Sequence, residues 1–171
     1  MSERKGIVAL HGKPLTLVGP ALGVGDRAPD FTLLDNELQP VSLSEFRGRN
    51  VVLSVVPSLD TPTCDLQTRR FNAEAEGLGP DVPVLTISMD LPFAQKRWCG
   101  AAGAKNVRTL SDHRDAAFGT AYGLLIRELR LLARAVLVLD REAAIRHFQI
   151  VPELSAEPDY AAALAVLGKL R

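Results

Sequence analysis

Val51-Val52-Leu53-Ser54-Val55-Val56-Pro57-Ser58-Leu59-Asp60-Thr61-Pro62-Thr63-Cys64 is the run whose reading decides the fold. Its first six residues are apolar except for one serine, the composition of a strand covered on both faces. From Asp65 to about Gly77 the pattern turns helical. Between the two, Thr61 is a good N-cap and Pro62 suits the first helical position, where a missing N–H costs nothing. That count puts Thr63 at N2 and Cys64 at N3, the position whose side chain reaches back toward the cap. The thiol is therefore expected beside the Thr61 hydroxyl. Unpaired N–H groups and the positive end of the helix dipole favour an anion there. A cysteine so placed is expected to have a lowered pKa and to be partly thiolate at neutral pH. Cys64 shares a helical stripe with Thr68, Phe71, Ala75 and Leu78, so its side chain should face inward, at the bottom of a pocket.

Working outward, Asp81 to Ser88 reads as the next buried strand, and strand–helix–strand order implies parallel pairing. Asp90 is expected to cap a second helix with Pro92 in its first turn. That helix carries Trp98 and Cys99, and Gly100 and Gly103 weaken its end by about 1 kcal/mol each relative to Ala. Asn106–Leu110 suggests a short strand and Asp115–Tyr122 a short helix ended by Gly123. Arg134–Leu139 and Ala144–Val151 form a hairpin over Asp140-Arg141-Glu142, and Pro158 opens a last helix with Tyr160, Leu164 and Leu167 on one face. Upstream, Ile7–Leu10 and Leu15–Val18 read as a hairpin turning at His11-Gly12. Phe31–Leu34 and Val41 are strand candidates, and Ser42–Phe46 one helical turn ended by Gly48. The order predicts an α/β chain, one domain over residues 1–171. A central mixed sheet is flanked by helices, as in a thioredoxin-like fold, with residues 7–18 as an N-terminal hairpin extension.

The bulk numbers narrow the function classes. With 171 residues and 47% hydrophobic content the chain can bury a substantial core. Lys+Arg and Asp+Glu both count 20, so no bulk charge points to nucleic acid. The N-terminus is polar and no apolar run is long enough to span a membrane, so the expected location is the cytoplasm. In that reducing compartment two cysteines suggest catalysis or redox activity rather than a permanent staple. His11, His113 and His147 are scattered, so no metal site is expected.

Residue by residue, alternatives stand open. Cys64 could be an inert buried hydrophobe. Cys99 alone reads as a packing residue beside Trp98. Thr61 is fully explained as a cap. Arg134 stands among Leu131, Leu132, Ala133, Ala135, Val136 and Leu137, where a charge needs a partner. That partner could be a thiolate facing it or an ordinary carboxylate. Pro57 could shield the pocket and removes a competing backbone donor. A disulfide oxidoreductase would carry C-x-x-C where this chain has Cys64-Asp65-Leu66-Gln67. A redox-sensing module and a structural disulfide are further readings.

Pro57, Thr61 and Cys64 fit the pattern P-x-x-x-[TS]-x-x-C of the peroxiredoxin family. The longer run PSLDTPTCDLQTRRFN resembles its thiol peroxidase branch, as do MDLPFAQKRWCG around Cys99, RLLARAV around Arg134 and the tail EPDYAAALAVL. The resemblance runs from about Gly6 to Leu170. Thr63 departs from it, standing where the branch often has an apolar residue. The resemblance implies a thiol peroxidase of the atypical two-cysteine kind. In it Cys64 attacks the peroxide, Thr61 and Arg134 serve that attack, Pro57 shields it, and Cys99 resolves the product through an intrasubunit Cys64–Cys99 disulfide. It further implies thioredoxin as reductant, hydrogen peroxide and alkyl or lipid hydroperoxides as substrates, a homodimer, and no metal, haem or flavin.

Overall fold

A computed structural model describes residues 1–171. In chain order the elements are β1 (Glu3–Leu10), β2 (Lys13–Val18), β3 (Thr32–Leu34), β4 (Pro40–Ser42), a 3-10 turn (Leu43–Phe46), β5 (Val51–Val55), α1 (Pro62–Leu78), β6 (Val84–Ser88), α2 (Pro92–Ala102), β7 (Arg108–Ser111), α3 (Ala117–Ala121), β8 (Leu125–Ile126), β9 (Leu131–Leu132), β10 (Ala135–Leu139), β11 (Ile145–Ile150) and α4 (Tyr160–Leu170).

Seven strands form a mixed sheet in the order β11-β10-β5-β6-β7-β3-β4. β5, β6 and β7 run parallel, as strands joined by helices must, and β10 pairs antiparallel with both β5 and β11. β5, β6 and β10 are buried along their whole length, which is why they read as continuous apolar runs. Their side chains nonetheless divide by parity. Val52, Val84, Val136 and Val138 pack with Phe71 and Ala75 of α1 and Ala163 and Leu167 of α4. Leu53, Val55, Leu85, Ile87, Leu137 and Leu139 pack on the other face with Phe118, Tyr122 and the hairpin residues Val8, Leu15 and Leu17. One side chain of each neighbouring pair thus feeds each core layer.

The N-terminal hairpin turns where expected. His11 and Gly12 both have positive φ, 50° and 78°, the backbone that a two-residue turn needs to follow strand twist. Its first strand begins earlier than the apolar pattern suggests, at Glu3. The hairpin also joins two-residue strands in a second sheet, β1-β2-β8-β9, which the sequence pattern does not predict. β8 and β9 are too short to show any period.

Other differences are local. The expected strand from Arg134 starts at Ala135, because Ala133 and Arg134 cross from the second sheet to the first. α3 starts at Ala117 rather than Asp115. The buried Asp112 carboxylate, from just beyond β7, accepts from the N–H groups of Phe118 (3.1 Å) and Gly119 (2.8 Å) and so supplies that helix start from a distance. Asp90 is not the cap of α2; Leu91 holds that position. The Asp90 carboxylate is engaged elsewhere, as described below. No helix is long and apolar enough to cross a membrane.

Candidate active site

β5 ends at Val55, and the chain turns through buried Pro57 and Leu59 into α1. Thr61 occupies the N-cap with extended backbone (φ −106°, ψ 148°), and Pro62 is the first helical residue. The cap is made by main chain alone: the Thr61 carbonyl accepts from Asp65 N at 3.0 Å. Its hydroxyl does not reach into the helix, contrary to expectation. It donates to the Ser58 carbonyl at 2.8 Å, leaving the oxygen lone pairs free as acceptors. The N–H groups of Thr63 and Cys64 have no acceptor within the chain.

Cys64 points inward, with none of its surface exposed, among Val56, Leu59 and Trp98. Arg134 lies at the same end of the sheet, because Ala135 is in register with Val55. Its Nη2 is 3.4 Å from Cys64 Sγ. The guanidinium is fixed by three further hydrogen bonds. Nε and Nη2 donate to the Leu154 carbonyl at 3.0 and 2.7 Å, and Nη1 donates to Gln67 Oε1 at 3.1 Å. Gln67 is itself fully buried and donates through Nε2 to Ser54 Oγ at 2.9 Å. Thr63, the residue that departs from the resemblance, donates its hydroxyl to the Ser155 carbonyl at 3.0 Å and so ties α1 to the segment that holds Arg134.

The charge balance is the informative feature. Arg134 is 2% exposed, yet none of the ion pairs in the protein includes it. A buried charge without a counter-charge is costly. Among its hydrogen-bond partners the one that can carry a negative charge is the Cys64 sulfur.

Cys99 is half-buried on α2, and neither cysteine is in a disulfide. Its sulfur lies 3.5 Å from Thr109 Oγ1, which donates to Asn36 Oδ1 at 2.7 Å. Its neighbour Trp98 takes the Cys64 side. The indole packs on the Cys64 cluster and donates to Asp65 Oδ1 at 2.9 Å, while Arg69 pairs with Asp65 and lies 5.8 Å from the ring centre. Pro57, Thr61, Cys64 and Arg134 are thus brought to one place, and Cys99 stands one residue beyond the wall of that place.

Gln67 and the Leu154 carbonyl were missed by sequence reasoning. Gln67 carries a signal: it is three residues on from Cys64 and therefore a polar residue on the buried stripe. The Leu154 carbonyl carries none. No three His, Cys, Asp or Glu side chains converge in a way that could hold a metal ion.

Residues 23–164 match the redoxin family. The thiol peroxidase of Bacillus subtilis is 55% identical over 153 residues, spanning 90% of this chain and 91% of its own length. That of Oceanobacillus iheyensis is 54% identical over 162 residues, spanning 95% and 98%. A crystal structure of a peroxiredoxin-like protein from Aquifex aeolicus superposes with a TM-score of 0.90 at 41% identity, covering 96% of both chains. The mixed sheet, flanking helices and N-terminal hairpin are those of a thioredoxin-like fold in its peroxiredoxin variant.

Proposed function

This chain belongs to the redoxin family, and from that premise we propose that it is a thioredoxin-dependent thiol peroxidase with Cys64 as the peroxide-reactive thiol. The buried, carboxylate-free Arg134 against Cys64 Sγ carries this reading, since the guanidinium supplies the counter-charge for a thiolate. The thiolate attacks the terminal oxygen of ROOH. The O–O bond breaks, Cys64 takes the terminal oxygen with its hydrogen as a sulfenic acid, and the departing RO− takes up from solvent the proton that the Cys64 thiol released on ionising, leaving as ROH. Thr61 Oγ accepts the hydroperoxide O–H, because its own hydrogen is held by Ser58. The free N–H groups of Thr63 and Cys64, with Arg134, donate to the oxygen on which charge grows. Pro57 and Leu59 keep water from the sulfur.

Cys99 then attacks the sulfenic sulfur, giving the Cys64–Cys99 disulfide and water. This needs movement, since Cys99 faces Thr109 and Trp98 intervenes. Gly100 within α2 and the left-handed Gly103 at its end (φ 65°) favour opening there. A reduced thioredoxin restores both thiols by exchange. Hydrogen peroxide and alkyl or lipid hydroperoxides are the substrates. The setting is the cytoplasm, and the working unit is a homodimer joined around α1, where Leu66 is 53% exposed.

The test is NADPH consumption in an assay coupled to thioredoxin and thioredoxin reductase, with hydrogen peroxide or cumene hydroperoxide. Wild type should turn over, Cys64→Ser should not, and Cys99→Ser should react once and fail to cycle. A Cys99→Ser variant that cycles as well as wild type would refute the resolving role. An inactive wild type would refute the peroxidase reading.

A further inference from the structure

The turn before Cys64 is held from outside its own helix. Ser58 donates its hydroxyl to Asp90 Oδ1 at 2.7 Å, and the Leu59 N–H reaches Asp90 Oδ2 at 2.8 Å. The Ser58 carbonyl in turn takes both the hydroxyl and the N–H of Thr61. An unbroken line of hydrogen bonds therefore runs from Asp90 to the first turn of α1.

Asp90 is equally tied to the other cysteine helix. The Ser88 hydroxyl donates to Asp90 Oδ2 at 2.7 Å and accepts from Gln95 Nε2 of α2 at 3.0 Å. The Asp90 carbonyl accepts from the Ser111 hydroxyl. Two residues further on, Pro92 starts α2. No cation pairs with the Asp90 carboxylate; three neutral donors share its two oxygens. A carboxylate can accept all three, whereas an amide has only one acceptor oxygen.

We infer that Asp90 is a positioning residue for both thiols. Its carboxylate fixes the 58–61 turn that sets Cys64 at the helix start, and the same residue anchors the first turn of the helix that carries Cys99. The two segments are therefore released together. This rests on Cys64 and Cys99 being the redox pair. While Asp90 holds the turn, Thr61 and the free N–H groups stand where a peroxide meets the sulfur. Once it lets go, both cysteine segments can move toward each other.

The experiment compares wild type with Asp90→Ala, Asp90→Asn and Ser58→Ala in the full chain. The first readout is labelling of each thiol by N-ethylmaleimide in the reduced, folded protein, resolved by mass spectrometry, and needs no peroxide. Asp90→Ala should raise the labelling of Cys64 and Cys99 together by about tenfold, the scale of one hydrogen bond to a charged group. Asp90→Asn and Ser58→Ala should raise both by less. Amide hydrogen exchange along β10 should stay at the wild-type rate. The second readout is single-turnover reaction with hydrogen peroxide, in which Asp90→Ala should react about tenfold more slowly and then close its disulfide faster than wild type. Labelling that rises at one cysteine only, or at neither, overturns the inference. So does exchange in β10 that rises in parallel, which marks a merely structural role. A wild type that consumes no peroxide would refute the peroxidase reading, and the labelling result would still decide the role of Asp90.

Discussion

Arg134→Met removes the guanidinium at the centre of the site while leaving an unbranched apolar chain in its place. At 3.4 Å from Cys64 Sγ, and with an effective dielectric of about 20, a full guanidinium–thiolate attraction amounts to about 5 kcal/mol. That is a ceiling, because the attraction acts on the thiolate before reaction as well as on the transition state. Removing one donor aimed at developing charge costs about 100- to 1000-fold in rate in other enzymes. The rate constant for Cys64 with hydrogen peroxide should therefore fall by about 100- to 1000-fold. Stability is a poorer readout, since two effects oppose each other. The Leu154 carbonyl and Gln67 Oε1 lose donors, each costing about 1–3 kcal/mol, but a buried charge disappears. Arg134→Lys keeps the charge but loses the fork that reaches Leu154, Gln67 and Cys64 at once, and should recover about tenfold of the loss. The assay is stopped-flow reaction of the reduced proteins with peroxide, with folding checked by circular dichroism. A folded Arg134→Met variant within threefold of wild type would refute the assignment of Arg134 to the chemistry.

Gln67→Leu should slow the peroxide step by about tenfold with Arg134 intact, because Nη1 loses its acceptor, and should lower unfolding free energy by about 1–3 kcal/mol in urea titration; an unchanged rate would make Gln67 a packing residue only. Trp98, the single tryptophan, packs on the Cys64 cluster, so its fluorescence should change as the disulfide forms, and Cys99→Ser should abolish that change; constant emission in wild type would mean that Trp98 stays in place. Burial lowers the pKa of His147 below its ordinary 6.5, outweighing the opposite pull of Asp159. The unfolded chain therefore binds a proton more readily than the folded one. The stability this neutral ring contributes is present above pH 6.5 and is lost as pH falls toward the lowered folded value. His147→Gln should flatten the thermal-melting profile in that window, and an unchanged profile would remove His147 as its cause.

Much of the site was legible because the signals are local. A continuous apolar run, a Thr-Pro helix start and a cysteine at N3 all lie within fourteen residues, and the structure places them as read. Most of what escaped depends on distant pairing. The types and positions of Thr61 and Asp90 favour side-chain caps. Thr61 instead turns its hydroxyl back to the Ser58 carbonyl three residues earlier, while the Asp90 carboxylate takes Ser58 and Leu59, contacts made only once β5 and β6 lie side by side. The second sheet escaped because Leu125–Ile126 and Leu131–Leu132 each supply two residues, a single strand period, too short for any alternation to show. The Leu154 carbonyl that aims Arg134 is main chain, and no residue type announces it.

The pairing of Cys64 with Cys99 in one redox cycle can be read chemically. One equivalent of hydrogen peroxide is added to the fully reduced protein, and both cysteines are mapped by mass spectrometry after alkylation. Both thiols should be lost and a peptide pair joined through Cys64 and Cys99 should appear, with a sulfenic acid at Cys64 alone in the Cys99→Ser variant. Recovery of Cys64 as a free, alkylated thiol after the peroxide has been consumed would contradict that pairing.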